Sequence, residues 1–102
     1  MTKLVKVVQT KDVAIGKMNM FEIDGEPIVL VKLDNKIHAF YDLCSHMEYP
    51  LSDGKLTGEI VTCAYHGAKF NIITGDVLSM PAVIPIRILP VKIIDDYVYV
   101  EL

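Results

Sequence analysis

Residues 44–67 read CSHMEYPLSDGKLTGEIVTCAYHG, and this stretch decides the fold because it holds both cysteines and two of the three histidines of the chain. The four side chains form two short pairs, Cys44 with His46 and Cys63 with His66. Thiolate and imidazole bind iron, zinc and copper well, and chance would rarely place them at such close spacing. The stretch therefore predicts a metal site.

The number of potential ligands narrows the choice of metal. Rubredoxin-type iron and ordinary iron–sulfur clusters need four cysteines, and this chain has two. Two thiolates and two imidazoles leave either a tetrahedral structural zinc or a two-iron, two-sulfur cluster in which histidines replace the cysteines on one iron. In extended chain, Cys44 and His46 would start roughly 6–7 Å apart on the same side, which suits two metal atoms better than one. Zinc remains an alternative at this point.

The flanking residues extend the two pairs into a longer pattern, strongest over residues 44–82. It consists of Cys44-Ser45-His46, Pro50 to Gly54, Cys63 to Gly67 with Phe70, Thr74-Gly75 and Met80-Pro81-Ala82. This pattern closely resembles the Rieske iron–sulfur family. The resemblance implies a [2Fe-2S] cluster with Cys44 and Cys63 on the inner iron and His46 and His66 on the outer, solvent-facing iron.

The departures from the family pattern indicate which branch the chain resembles. High-potential Rieske proteins have a further cysteine in each ligand loop, joined as a disulfide, and this chain has no third cysteine. They also place a serine two residues and a tyrosine four residues after the second histidine, where this chain has Ala68 and Phe70. Hydroxyl hydrogen bonds to sulfur stabilise the reduced cluster, so their loss lowers the reduction potential. The resemblance is therefore to low-potential, ferredoxin-type members.

Other residues near the motif allow simpler interpretations. His38 shares a strand face with lysine and phenylalanine and has no cysteine nearby, so it is left out of the site. Gly67 lets backbone N–H groups approach the cluster sulfurs, or is an ordinary turn glycine. Pro81 lies in a segment whose family equivalent packs over the cluster. Met47 and Leu51 either shield the cluster or belong to the core.

Short apolar runs separated by turn residues predict an all-β fold. Asp24-Gly25 is a strong hairpin signal, and prolines at 81, 85 and 90 exclude a long helix after the motif. The predicted strands cover residues 4–8, 18–23, 27–33, 36–41, 59–62, 70–71 and 77–78, and residues 90–92 and 97–100 resemble the closing strands of the Rieske family. Residues 1–102 are expected to form a single domain, an antiparallel β sandwich. A cluster-binding lobe of about 43–82 is inserted into a β base of about 1–42 and 83–102.

Composition excludes several classes of protein. A net charge of -3 with no basic cluster argues against binding of nucleic acid. No apolar run approaches the roughly 18–20 residues that cross a bilayer, and the first residues lack the apolar core of a signal peptide. The sequence therefore predicts a protein of the cytoplasm with no membrane partner.

The pattern predicts an electron carrier and not an enzyme. Outside the ligand pairs the sequence offers no nucleophile–base pair, no nucleotide-binding loop and no second metal site. The resemblance implies a soluble protein that moves single electrons between a reductase and a terminal oxidoreductase such as an oxygenase. Two alternatives remain: a small Rieske subunit bound permanently to an oxygenase or nitrite reductase, and a structural zinc-binding interaction module.

Overall fold

A computed structural model describes residues 3–43, 49–64, 67–79 and 85–102. Within them the chain forms short strands and two 3₁₀ turns, Thr10–Asp12 and Leu51–Asp53. The strands are β1 (Leu4–Gln9), β2 (Asn19–Ile23), β3 (Glu26–Leu33), β4 (Lys36–Tyr41), β5 (Lys55–Thr57), β6 (Ile60–Thr62), β7 (Lys69–Asn71), β8 (Val77–Ser79), β9 (Ile88–Leu89), β10 (Val91–Ile94) and β11 (Tyr97–Glu101). The all-β prediction is confirmed, and most predicted strands lie within one or two residues of their observed bounds.

Three of the hairpins turn through two residues that both have positive φ. The pairs are Asp24-Gly25 (52° and 78°), Asp34-Asn35 (48° and 65°) and Asp95-Asp96 (50° and 66°). This conformation is typical of two-residue hairpin turns, whose twist matches that of the flanking strands. Asparagine, aspartate and glycine tolerate it better than other residues do. The local sequence therefore sets the register of these hairpins.

The strands form three sheets, and all the strand pairs within them are antiparallel. The outer sheet has the order β1-β11-β10, the central sheet β2-β3-β4-β9 and the lobe sheet β5-β6-β7-β8. The outer and central sheets come from the two ends of the chain. The lobe sheet comes from residues 55–79, which lie between them in the sequence.

The central sheet contributes side chains to two separate cores, because successive residues of a strand point to opposite faces. The core shared with the lobe sheet, called the lobe core, contains Val29, Val31, Phe40, Leu51, Val61, Cys63, Ala68, Phe70, Ile72 and Ile86. The core shared with the outer sheet, called the base core, contains Val13, Ile23, Ile28, Leu30, Ala39, Leu89, Val98 and Val100. The lobe is thus packed on the face of the central sheet opposite to the base core.

The described part of the chain contains no helix with the length and apolar character needed to cross a bilayer.

Candidate metal centre

The second predicted ligand loop starts where β6 ends at Thr62. Cys63 follows directly and is only 1% exposed, packed within the lobe core. Its backbone N–H donates to the Ala68 carbonyl at 2.8 Å, and its own carbonyl accepts from the N–H of Gly67 at 3.0 Å. Gly67 has a φ of 69°, a conformation that glycine adopts without strain. These two hydrogen bonds close the base of the loop that contains Cys63 and His66.

The residues that follow this loop are enclosed by apolar groups. Ala68 and Phe70 are both fully buried in the same core as Cys63. They occupy the two positions at which high-potential Rieske proteins have hydroxyl side chains. Neither side chain has a hydrogen-bond donor. The expectation of a low reduction potential therefore concerns two positions that are buried and apolar.

The first predicted ligand loop is anchored at both ends. At its start, the N–H of Tyr41 donates to the Arg87 carbonyl and the N–H of Asp42 donates to the Pro27 carbonyl, both at 2.9 Å. At its end, Leu51 opens the second 3₁₀ turn and is fully buried in the lobe core. The described residues before the loop are therefore held on the central sheet, and those after it pack in the lobe core. Leu51 is a core residue and lies in the same core as Cys63.

A buried carboxylate joins the two ends of this loop. Asp42 is 7% exposed, and one of its oxygens accepts the backbone N–H of Ser52 at 2.8 Å. The other oxygen accepts the Ser52 hydroxyl at 2.6 Å. A buried charge is costly unless it is hydrogen-bonded, and both oxygens of this carboxylate are satisfied by one residue. Sequence reasoning missed this pair, because nothing in the sequence associates residue 42 with residue 52.

The two ligand loops also meet through their backbones at Gly54. A Cβ built on Gly54 would collide with the carbonyl oxygen of Thr62 and lie 3.2 Å from the N of Ala64. Thr62 and Ala64 flank Cys63 in the sequence. Since the φ of Gly54 is -87°, space and not conformation requires the glycine here. The end of the first loop therefore lies directly against the start of the second.

Near the start of the first loop, the side chains of Tyr41 and Glu26 interact. A hydrogen bond to the Glu26 carboxylate raises the pKa of the Tyr41 hydroxyl, and partial burial and the negative charge of Glu26 raise it further. The Arg87 guanidinium, whose central carbon is 5.8 Å from the centroid of the Tyr41 ring, lowers it. The net effect favours the neutral phenol.

Of the four predicted ligands, the structure describes Cys63. Cys44, His46 and His66 lie outside the described residues, as do Met47 and Pro81. His38, which the sequence analysis left out of the site, lies in β4 opposite Val31. It lines a cleft of about 460 Å³ together with Lys36 and Asp96.

Comparison with known proteins shows that residues 3–90 match the model of the Rieske [2Fe-2S] domain. The chain belongs to the Rieske [2Fe-2S] domain family. This confirms the predicted family and cofactor, and it decides the metal in favour of iron over zinc. The donor set fits the cluster: two thiolates and two imidazoles are what a Rieske centre requires, and the one described donor, Cys63, is buried at the base of a closed loop.

The most similar relatives include ferredoxins of oxygenase systems. This Rieske protein is 38% identical over 99 residues to the ferredoxin component of biphenyl 2,3-dioxygenase from Rhodococcus jostii, covering 97% of this chain and 92% of the relative. It superposes on the Sphingomonas yanoikuyae B1 ferredoxin with a TM-score of 0.87 and 28% identity, covering 98% of this chain and 99% of that one.

A solved structure of a complex is also similar to this Rieske protein. It is described as the complex of reduced oxygenase and oxidized ferredoxin in carbazole 1,9a-dioxygenase. One of its chains matches with a TM-score of 0.87 and 30% identity, covering 95% of this chain and 91% of that chain.

Proposed function

We propose that this protein is a Rieske-type ferredoxin that passes single electrons from a reductase to a terminal oxygenase. The observation that supports this best is the match over 97% of the chain and 92% of a dioxygenase ferredoxin component. Such components are electron carriers, and bond-making chemistry belongs to the oxygenase. The proposed partners are accordingly two proteins, a reductase and an oxygenase.

The cluster is proposed to be held by Cys44 and Cys63 on the inner iron and by His46 and His66 on the outer iron. When bound, it accepts and releases one electron. Burial of Cys63 in the lobe core would keep water from the inner part of the site, and its backbone hydrogen bonds to Ala68 and Gly67 join the described ends of the second loop.

The proposed cluster-binding lobe is residues 43–82, with residues 1–42 and 83–102 as its base. The separate lobe sheet over residues 55–79 supports this division. The proposed compartment is the cytoplasm, where thiols stay reduced and both cysteines would be available as ligands.

The ligand assignment is tested by metal analysis and reduced-state EPR of the purified protein. About two irons and two acid-labile sulfides per chain are expected. His46→Ala and His66→Ala should each abolish the Rieske EPR signal. His38→Ala is the matched control, since it removes the third histidine and should keep the signal. Stoichiometric zinc in protein made with ample iron, or loss of the signal in His38→Ala, would contradict the assignment.

The carrier function is tested by mixing the reduced protein with the terminal oxygenase of a biphenyl or carbazole dioxygenase and its aromatic substrate. Reoxidation of the ferredoxin and formation of product should depend on the oxygenase. The protein alone should give no product. Reoxidation no faster than in air without the oxygenase would count against an oxygenase as the partner.

A further inference from the structure

Asp42 is the only charged residue that is buried among those the structure describes. Both of its carboxylate oxygens accept hydrogen bonds from a single residue, Ser52, at 2.8 Å from the backbone N–H and 2.6 Å from the hydroxyl. Both distances are those of well-formed hydrogen bonds. Asp42 and Ser52 thus form one firm link between two segments of the chain.

This link spans the first ligand loop. Asp42 is two residues before Cys44, and its N–H is held on the central sheet by the Pro27 carbonyl. Ser52 is six residues after His46, in the 3₁₀ turn that begins with the buried Leu51. Tying the ends of a loop together reduces the conformations open to the residues between them. The residues between Asp42 and Ser52 include both predicted ligands of this loop.

A second contact joins the first loop to the other ligand pair. Gly54, two residues after Ser52, lies so close to the Thr62 carbonyl that no side chain fits. Thr62 is the residue before Cys63. The chain has two cysteines, both proposed as ligands, so a disulfide cannot join the loops while the cluster is bound. The Asp42–Ser52 link followed by the Gly54–Thr62 contact is one connection that the described residues provide between them.

We propose that Asp42 is a positioning residue for the cluster: through Ser52 it sets where the first ligand loop lies relative to the second. This inference rests on the proposed ligation by Cys44, His46, Cys63 and His66. The role depends on the two hydrogen bonds and not on the negative charge of Asp42. A group of the same shape that makes both bonds therefore performs it equally well.

The test compares four variants in the holoprotein. Asp42→Ala removes both hydrogen bonds, and Ser52→Ala removes the one from the hydroxyl. Asp42→Asn removes the charge and keeps both bonds, because its oxygen accepts the Ser52 N–H and its amide donates to the Ser52 hydroxyl oxygen. Ser52→Thr keeps the hydroxyl. Glu22→Gln, on the exposed part of β2, controls for a change in net charge, and Leu30→Ala, in the base core, controls for a general loss of stability.

The first measurement is the rate of cluster loss, followed by decay of the visible absorption in the presence of a chelator. Asp42→Ala should lose the cluster about tenfold to a hundredfold faster than wild type, the range expected for losing two hydrogen bonds. Ser52→Ala should be intermediate. Asp42→Asn, Ser52→Thr and both controls should stay within about threefold of wild type, less than the effect of one ordinary hydrogen bond.

The second measurement is the EPR spectrum of the reduced protein, which reports the geometry at the cluster. Asp42→Ala and Ser52→Ala should broaden or shift the signal, and Asp42→Asn and Ser52→Thr should not. Asp42→Asn behaving like Asp42→Ala would overturn the inference, because charge would then be the cause. Ser52→Ala indistinguishable from wild type would overturn it even if Asp42→Ala does not fold. A wild-type protein without iron would instead overturn the proposed ligation.

Discussion

At the scale of single residues, two buried positions after the second ligand loop concern the reduction potential. Ala68 and Phe70 are fully enclosed in the core that contains Cys63. Because hydrogen bonds to sulfur favour the reduced state, their absence sets the expected potential near the low end of the Rieske range, at about -150 mV.

Ala68→Ser should raise the reduction potential, and so should Phe70→Tyr. Each adds one donor within the lobe core, and protein-film voltammetry measures the change. Ala39→Ser is the matched control, since Ala39 is equally buried but belongs to the base core. A potential well above zero in the wild type, or a shift in Ala39→Ser as large as in Ala68→Ser, would show that another property sets the value.

The interaction of Tyr41 with Glu26 predicts a dependence of stability on alkaline pH. Its pKa is raised above 10.0 in the folded state, chiefly by the hydrogen bond to Glu26. The stabilisation is therefore fully present below the unfolded pKa and is lost as pH rises through the higher folded pKa. The free energy of unfolding in urea should fall less steeply above pH 10.0 in Tyr41→Phe than in wild type.

Two further variants test the cause of this effect. Glu26→Gln should lower the pKa of Tyr41 toward its ordinary value. The titration of Tyr41 is obtained by subtracting the phenolate absorption of a Tyr41→Phe variant from that of the protein that keeps Tyr41. This difference is measured once with Glu26 and once with Gln at position 26. Glu22→Gln removes an exposed carboxylate from the neighbouring strand β2 and should leave that difference unchanged. An equal effect of both substitutions would assign the shift to general charge and not to the hydrogen bond.

At the scale of elements, the two cores have different relations to the metal site. Leu51 belongs to the 3₁₀ turn that ends the first ligand loop and packs in the lobe core. Leu30 lies in β3 and packs in the base core. Both are leucines with 0% exposure, so they form a matched pair.

Leu51→Ala and Leu30→Ala should each lower the free energy of unfolding by about 2–5 kcal/mol, as expected for a leucine truncated in a packed core. Only Leu51→Ala should also speed cluster loss under native conditions, because it loosens the end of a ligand loop. Urea unfolding measures the first quantity and decay of visible absorption the second. Similar rates of cluster loss in the two variants would show that both cores support the cluster equally.

At the scale of the whole molecule, the lobe and the base are expected to depend on the metal to different extents. In the base, β11 pairs with β1 on one side and with β10 on the other. The hairpins of the base turn through residue pairs that accept positive φ. The strands of the lobe sheet have three residues each; the first ligand loop precedes β5, and the second joins β6 to β7. Short strands of this kind gain most of their stability from packing and from bound groups.

Removing the cluster should therefore increase amide exchange over residues 55–79 more than over residues 19–41. Hydrogen exchange with mass spectrometry on apo and holo protein measures this difference. The strands β10 and β11 serve as the internal reference, since they belong to the outer sheet. Equal loss of protection in the lobe and in the β2–β3–β4 hairpins would show that the protein unfolds as one cooperative unit without its metal.

The sequence alone predicted those features whose cause is local. Asp24-Gly25 predicted its hairpin because the turn depends on two residues that accept positive φ. The strand over Lys36–Tyr41 was predicted with its observed bounds, since a turn pair directly precedes it. Thiolates and imidazoles in two short segments predicted a metal site, because metal binding depends mainly on which donors are present, and the flanking residues, through their resemblance to the Rieske family, predicted the [2Fe-2S] cofactor.

Only the tertiary structure decided features that depend on residues distant in sequence. Strand β5 over Lys55–Thr57 was not predicted, because three residues have too little intrinsic preference and form a strand only by pairing with β6. The division of β3 between two cores, with Val29 on one face and Leu30 on the other, depends on which sheets pack against it. Asp42 and Ser52 meet across ten positions of sequence, and Gly54 is required by a neighbouring backbone. Contacts through space have no signal in a single sequence, because burial and hydrogen bonding are properties of the folded chain.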